Sequence, residues 1–362
     1  MRPITTISDY RDPSVFHREM QALFHNVWQF AGFARDLASD RDYIVPEIGG
    51  KSVVVQNFEG ELRAFLNVCS HRYSAIRSES KGNGLLQCPY HGWVYDKAGI
   101  PAGIAHLKEF EAMTAERRCE LALERWDVET CGELIFVRRS TAGGPSLKIF
   151  LGDAWDRVES IATCLGSQID CNRMTIEANW KVALENTLES YHAPFVHPTS
   201  IALLLGQTRE TLVEYPHSTW VGEIQPSMKT RLGKLAKHLG LNSRFDAYHH
   251  QLVFPALTLA TTVGMTYAIQ SFKPLSPSRT EFTSFVFAAK IDGSAAKTLM
   301  LAEATAVARD YNRVVFEEDR VICEQVQKGI GLAPAHLTGE LSGEEHRVER
   351  FQAAWKEWLG PN

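Results

Sequence analysis

Two short segments, Cys69-x-His71 and Cys88-x-x-His91, constrain this chain more than any other feature. Each places one thiol and one imidazole on a single tight loop. Two such loops facing one another offer two soft sulfurs and two neutral nitrogens. A [2Fe–2S] cluster in which two histidines replace two cysteines on one iron takes that donor set. A structural zinc ion also binds two Cys and two His, but zinc fingers commonly group Cys with Cys and His with His. Mixed loops favour the cluster. Gly82 and Gly84 supply turn chemistry in the segment between the loops, and Pro89 and Gly92 stiffen and bend the second one. Tyr90 and Trp93 are placed to cover the bound group.

The spacing and flanking residues of 69–93 resemble the Rieske fingerprint C-x-H…C-x-x-H. The rest of the chain is long enough to carry a second centre. At 362 residues and 44% hydrophobic, it can bury a large core, and two domains are the default. A net charge of −5 gives no electrostatic case for nucleic acid or an anionic membrane. No apolar run reaches spanning length. The start lacks an apolar signal region, so cytoplasmic residence is expected. Seven cysteines form no disulfide-like framework. Outside the loops, Cys119, Cys131, Cys164, Cys171 and Cys323 read as reduced, mostly buried side chains.

In chain order, 13–31 predicts an amphipathic helix on Phe16, Met20, Leu23, Phe24 and Val27, with Pro13 in its first turn and His17 and His25 on the wetter side. From 43 to about 139 short strands take over. SVVVQNF, Gly60 and LRAFLNV read as a hairpin running into Cys69, and ELIFVRR closes a small antiparallel β domain. Gly143, Gly144 and Pro145 mark a boundary. A largely helical stretch follows from 148 to 166.

Residues 179–197, NWKVALENTLESYHAPFVH, are the second informative stretch. Trp180, Leu184, Leu188 and Tyr191 share an apolar helical face. Glu185, Glu189 and His192 form a stripe beside it, where unpaired carboxylates would be costly. His192 and His197 are five residues apart, which on an unbroken helix turns them roughly 140° from each other. Pro194 between them is expected to break the helix and let His197 swing back. Two histidines and a carboxylate make the facial triad of a non-haem iron(II) oxygenase.

Residues 252–290 read as strands of a twisted antiparallel sheet, with Phe282, Ser284, Val286 and Ala288 on one face and Thr283, Phe285, Phe287 and Ala289 on the other. A long helix is predicted over 295–328, its apolar arc containing Val307, Tyr311, Val315, Ile322 and Val326. Glu318 and Asp319 both border that arc, so either could be the third ligand. Arg309 and Asp310 read as solvated charges. The tail EEHRVERFQAAWKEWL is one more amphipathic helix.

Taken together, these pieces resemble the oxygenase (alpha) component of Rieske non-haem iron oxygenases, the aromatic-ring-hydroxylating family. The resemblance implies an α+β fold: a small antiparallel β Rieske domain and a helix-grip catalytic domain, an antiparallel sheet around a long helix. The expected division is 1–42 with the catalytic part, 43–140 for the Rieske domain and 141–362 for the catalytic domain. Cys69, His71, Cys88 and His91 are implied as ligands of the [2Fe–2S] cluster. His192 and His197 are implied as ligands of a mononuclear Fe(II), and the run EEDRVICEQVQKG selects Asp319 as the third. Glu189 stands where the family carries an acidic bridge between a cluster histidine and an iron histidine of neighbouring subunits. The usual residue there is Asp. Glu adds a methylene and also occurs in members acting on quaternary amines such as carnitine.

The implied assembly is a homotrimer in which electrons cross from the cluster of one subunit to the iron of the next. Electrons come from NAD(P)H through a separate flavin reductase, a ferredoxin, or both, and O₂ and a small organic substrate complete the reaction. Arg72, Arg77 and Lys81 could attract an acidic electron donor or be ordinary loop charges. The expected activity is mono- or dioxygenation, or demethylation, of a small aromatic compound. Monooxygenation of a quaternary amine is the alternative, and Tyr248, Tyr267, Phe285 and Phe287 are candidates for its aromatic cage. A Rieske electron-transfer protein without oxygenase activity would leave His192, His197 and Asp319 unexplained. A zinc-stabilised binding protein would lack iron altogether.

Overall fold

The structure is a computed structural model describing residues 3–111, 113–140, 144–241 and 244–360. Gly143, part of the expected boundary, lies outside the described residues. The chain forms two compact units: Phe24–Phe150, and Met1–Leu23 with Leu151–Asn362. No helix of the described residues is long and apolar enough to cross a membrane.

The first unit is an eight-stranded antiparallel sheet. The hairpin of Lys51–Phe58 and Glu61–Leu66 turns at Glu59 and Gly60, both left-handed at φ 53° and 91°. A paired left-handed turn matches the twist of the flanking strands. The second strand of this hairpin delivers the chain to Cys69. The helix expected over 13–31 ends earlier. Pro13–Glu19 is α-helical, Met20–His25 is a π-turn, and Gln29–Phe33 is an edge strand paired with Leu134–Arg139. Phe30 therefore packs against Phe136 from a strand. His25 is buried, not on a wet face, with its Nε2 2.9 Å from the Gly49 carbonyl oxygen. Burial lowers its pKa.

The second unit holds a seven-stranded antiparallel sheet. Strand order is Leu165–Ile176, Arg279–Ala289, Thr266–Ser276, Leu257–Thr262, Tyr248–Val253, His217–Ile224 and Leu205–Glu214. The helical stretch expected to run to 166 gives way at Leu165 to a long edge strand, Leu165–Ile176. The strands Leu205–Glu214 and His217–Ile224 also lie outside the segment read as sheet from sequence, and Tyr248–Val253 begins before it. The helix Ala295–Leu332 packs on Leu165–Ile176 and Arg279–Ala289. Phe316 meets Phe282 at 5.0 Å, and Arg313 holds Asp170 through two bonds of 2.5 and 3.0 Å.

The buried stripe of this helix runs Leu301, Thr305, Val315, Cys323. Val307 and Val326, placed in the arc by periodicity, are 73% and 45% exposed. The sheet selects a stripe rotated from the one the valines suggest, and that stripe passes through Asp319 between Val315 and Cys323. The cysteines outside the loops also divide: Cys131 and Cys323 are buried, Cys164 is partly so, and Cys119 and Cys171 are exposed. All are free thiols.

Candidate functional site

The two cluster loops are built by local backbone bonds. Tyr73 N–H donates to Cys69 O at 3.0 Å and Gly92 N–H to Cys88 O at 3.1 Å, closing one tight turn at each loop. Tyr73 and Gly92 take left-handed φ of 62° and 68° there. Both thiols are buried. Burial raises the Cys69 pKa, with a hydrogen bond from the Tyr95 hydroxyl opposing it at 3.0 Å. The His71 and His91 rings face each other edge-on at 4.6 Å. Trp93 stacks flat on His71 at 4.8 Å and 2°, while Tyr90 lies over His91. Two sulfurs and two imidazoles thus converge, and His71 Nδ1 is buried without a protein partner. A buried ring nitrogen with no acceptor or donor is what a metal-ligating histidine looks like before its metal is considered. The residues fit a [2Fe–2S] cluster.

The surrounding charges separate. Arg77 is taken up by the Tyr43 ring at 3.9 Å and by carbonyls of Gly84 and Leu85. Lys81 pairs with Asp36 at 2.9 Å. Arg72 and Lys81 are both exposed, and Arg72 lies 5.5 Å from the centre of the Tyr90 ring.

In the other unit, Asn179 caps the helix Trp180–Thr187 by accepting from Lys181 N–H at 2.9 Å. Trp180, Leu184 and Leu188 are buried as the apolar face requires, but Tyr191 is 50% exposed. The helix has already ended at Leu188, before Tyr191 is reached. Nor does Pro194 cause the break. It sits in the first turn of a separate short helix, Ala193–Val196, where its missing N–H costs nothing. The chain turns at 188–192, and Glu189 secures the turn by accepting from His192 N–H at 3.1 Å. His192 and His197 cap the two ends of the short helix, their rings 5.2 Å apart.

Asp319 reaches this pair from the long helix. Its Oδ1 lies 3.0 Å from His197 Nε2 and 3.7 Å from His192 Nε2. One ligand atom from each of the three falls within 4.8 Å of the others. Each histidine is held from behind by a carboxylate: Glu189 contacts His192 Nδ1, and Glu318 accepts from His197 Nδ1 at 2.7 Å. A carboxylate can only accept, so the contacts to Glu189 and Glu318 place a proton on each Nδ1, the tautomer that would leave each Nε2 free to ligate a metal ion beside Asp319. Ser200 Oγ donates to Glu318 at 2.6 Å, and Asn186 Nδ2 to Asp319 Oδ1 at 2.6 Å. Two imidazole nitrogens and one carboxylate oxygen fit a mononuclear iron(II) with open positions.

These residues line a cavity of about 130 Å³. Its far wall is the concave sheet face, with Trp220, Tyr248, Phe272 and Phe282 contributing rings. Of the four suggested cage residues, Tyr248 lines this cavity. Tyr267 packs instead against Phe245 at 6.0 Å, and Phe285 and Phe287 project from the face opposite Phe282. Burial pushes the Tyr248 phenol up to about 12, with Asp319 adding to the shift.

Sequence reading missed Trp220, His250, Ser200 and Arg347. Periodicity could have flagged Trp220, an aromatic within the alternating run HSTWVGEI. Nothing local distinguishes Arg347 from an arginine on the wet side of an amphipathic helix.

The chain matches the family profile "Ring hydroxylating alpha subunit (catalytic domain)" over residues 153–361 and "Rieske [2Fe-2S] domain" over residues 27–114. It is 25% identical over 338 residues to chloroplastic choline monooxygenase of Atriplex hortensis, covering 91% of this chain and 72% of that one. It is 30% identical over 200 residues to the glycine betaine monooxygenase oxygenase subunit of Pseudomonas aeruginosa, covering 54% and 45%. The fold superimposes on a crystal structure of the quaternary ammonium Rieske monooxygenase CntA with TM-score 0.81 and 19% identity, over 98% and 95% of the two chains.

Proposed function

The chain belongs to the ring-hydroxylating alpha-subunit family, the oxygenases that join a Rieske [2Fe–2S] cluster to a mononuclear iron, and from that premise we propose how its residues divide the work. Cys69, His71, Cys88 and His91 hold the cluster. His192, His197 and Asp319 hold the iron. The substrate is a small organic molecule seated in the cavity beside that triad, and the reaction is a monooxygenation. The observation that carries this reading is the convergence of three ligand atoms within 4.8 Å on the wall of an aromatic-lined cavity.

When bound, the iron supplies the site at which O₂ is activated with electrons relayed from the cluster. The protein's own contribution is positioning. Glu189 and Glu318 fix the tautomer and ring orientation of the two histidines. Asn186 holds one lone pair of Asp319 and so limits how that carboxylate can rotate. Trp220, Phe272 and Phe282 keep bulk water from the substrate position and give it apolar contact. Glu189 is committed to its own His192 within the chain, which still leaves carboxylate lone pairs for a histidine of a second subunit in a homotrimer. Electrons arrive from NAD(P)H through a flavin reductase or ferredoxin.

A quaternary ammonium substrate is the second reading beside an aromatic one. Trp220 and Tyr248 meet edge-to-face at 5.7 Å and 61° and both line the cavity, a corner suited to cation–π contact. The deciding experiment replaces His192 with Ala in the reconstituted enzyme. Product formation should vanish while the visible spectrum of the cluster is unchanged. Retained turnover would defeat the assignment.

A further inference from the structure

Arg347 opens the C-terminal helix His346–Leu359, is 2% exposed, and lines the catalytic cavity. A guanidinium stays charged and is costly to bury unless an anion accompanies it. Several less buried arginines of this unit have carboxylate partners. Arg313 is paired with Asp170, Arg320 with Glu317 and Glu324, and Arg209 with Glu223 and Asp246. Arg347 has none. Its donors reach Ser218 Oγ at 3.1 Å, Ser218 O at 3.3 Å, Leu188 O at 3.4 Å and His250 Nδ1 at 3.3 Å. All four acceptors are neutral, and three of the four bonds are 3.3 Å or longer. No carboxylate among the described residues lies within ion-pair distance of it. Burial pulls its pKa down to about 9.

His250 supplies an independent observation. Arginine can only donate, so His250 Nδ1 accepts and its proton sits on Nε2. Burial, then Arg347, depress the imidazole pKa well below its ordinary value, keeping the ring neutral. Nε2 is buried and has no protein partner. The same cavity wall therefore presents, side by side, a cation with no contacting carboxylate, on which Glu214 acts only from longer range, and an unused N–H donor. Natural interiors rarely leave either unanswered.

We infer that Arg347, with His250 Nε2–H beside it, anchors a carboxylate of the substrate. These four bonds use four of the five guanidinium N–H groups; the fifth, with His250 Nε2–H, offers a carboxylate one donor for each oxygen, and the desolvated setting strengthens the pair. Combined with the aromatic walls, this selects a small molecule with an apolar aromatic or quaternary ammonium body and one anionic end. Neutral arenes and amino alcohols lack the group that Arg347 requires. The inference rests on the oxygenase reading of the cavity only in calling the ligand a substrate.

The test is equilibrium binding by calorimetry to the iron- and cluster-loaded protein, using two matched pairs: benzoate with benzamide, and glycine betaine with choline. In at least one pair the carboxylate should bind roughly thirty-fold more tightly than its mate, the lower end of what losing a buried charge partner costs. Arg347→Gln should reduce that ratio to within about threefold, chiefly by weakening the carboxylate member of the pair. Arg347→Lys should keep an intermediate ratio. Two outcomes overturn the proposal: no preference in either pair, absence of binding included, or an undiminished preference in Arg347→Gln. A purely structural Arg347 would lower stability and leave the ratio alone. If Arg347→Gln fails to fold, the wild-type ratios and Arg347→Lys still decide. Product formation is followed in parallel. Carboxylate preference without oxygenation would refute the oxygenase reading and keep the anchor. Equal oxygenation of both members of each pair would do the reverse.

Discussion

Glu318 and His197 are joined at 2.7 Å through Nδ1, so the two adjacent acids of the long helix have different tasks. Asp319 faces the ligand point and Glu318 holds the imidazole that shares it. Their side chains diverge because successive helical residues are turned by about 100°. Glu318→Ala should weaken iron(II) affinity about 10–100-fold, the usual cost of losing such a support. Asp319→Ala should remove a ligand and lose the metal. A chelator-competition titration reads both, and equal effects of the two substitutions would contradict the division of roles.

The Tyr95 hydroxyl, 3.0 Å from Cys69 Sγ and 3.1 Å from Ser70 N, donates toward the cluster sulfur. Hydrogen bonds to cluster sulfurs stabilise the reduced form. Tyr95→Phe should lower the cluster's reduction potential by about 20–60 mV, converting ~0.5–1.5 kcal/mol per hydrogen bond at 59 mV per tenfold. Spectroelectrochemical titration measures it. An unchanged or raised potential would show that the bond does not reach the sulfur.

Glu19 is fully buried and accepts from Lys181 Nζ at 2.5 Å, Trp180 Nε1 at 3.0 Å and Trp355 Nε1 at 2.8 Å. One carboxylate thus ties the N-terminal helix, the helix Trp180–Thr187 and the C-terminal helix. Glu19→Ala strands a buried ammonium and two indole donors and should cost about 3–5 kcal/mol. The double variant Glu19→Leu/Lys181→Met, which removes both charges, should recover a substantial part of that. Urea unfolding compares them, and a double variant no more stable than Glu19→Ala would argue against charge desolvation as the cause.

Burial pushes the Glu185 carboxyl up to about 7 from its ordinary 4.5, against hydrogen bonds from Tyr10 and Gln352 that lower it. The folded state therefore holds this proton more tightly than the unfolded chain. Its contribution is full below pH 4.5 and is lost as pH rises to about 7, a change of ~3 kcal/mol at 1.36 kcal/mol per unit. Glu185→Gln should flatten that slope and be the more stable protein at pH 8. Thermal melts from pH 4.5 to 8 check this. Parallel profiles for both proteins would refute it.

The legibility of the fold from sequence varied with how local its causes were. The hairpin into Cys69 and the 279–289 strand were readable because turn residues and alternation act over a few positions. The strands at 205–224 were not, because an edge run such as QTRETLVE carries little apolar alternation. The helix over 13–31 was over-extended because Trp28 and Phe30 fit a helical period equally well, and only pairing with 134–139 makes a strand of 29–33. Tyr191 and Val326 were misplaced because periodicity gives a helix an apolar side without saying which angle the neighbouring sheet will cover.

Residue chemistry and short spacing determined, from the sequence alone, that this chain carries the donor types of two candidate metal sites, since thiol, imidazole and carboxylate identities are covalent facts. Periodicity left Glu318 and Asp319 open and the family resemblance pointed to Asp319, but only the tertiary structure decided which helical stripe is buried, that Glu318 supports His197 from behind, and that Arg347 ends in the cavity without a contacting carboxylate. Those outcomes depend on how segments more than a hundred residues apart pack together, and the cost of desolvating a charge is set only once that packing exists.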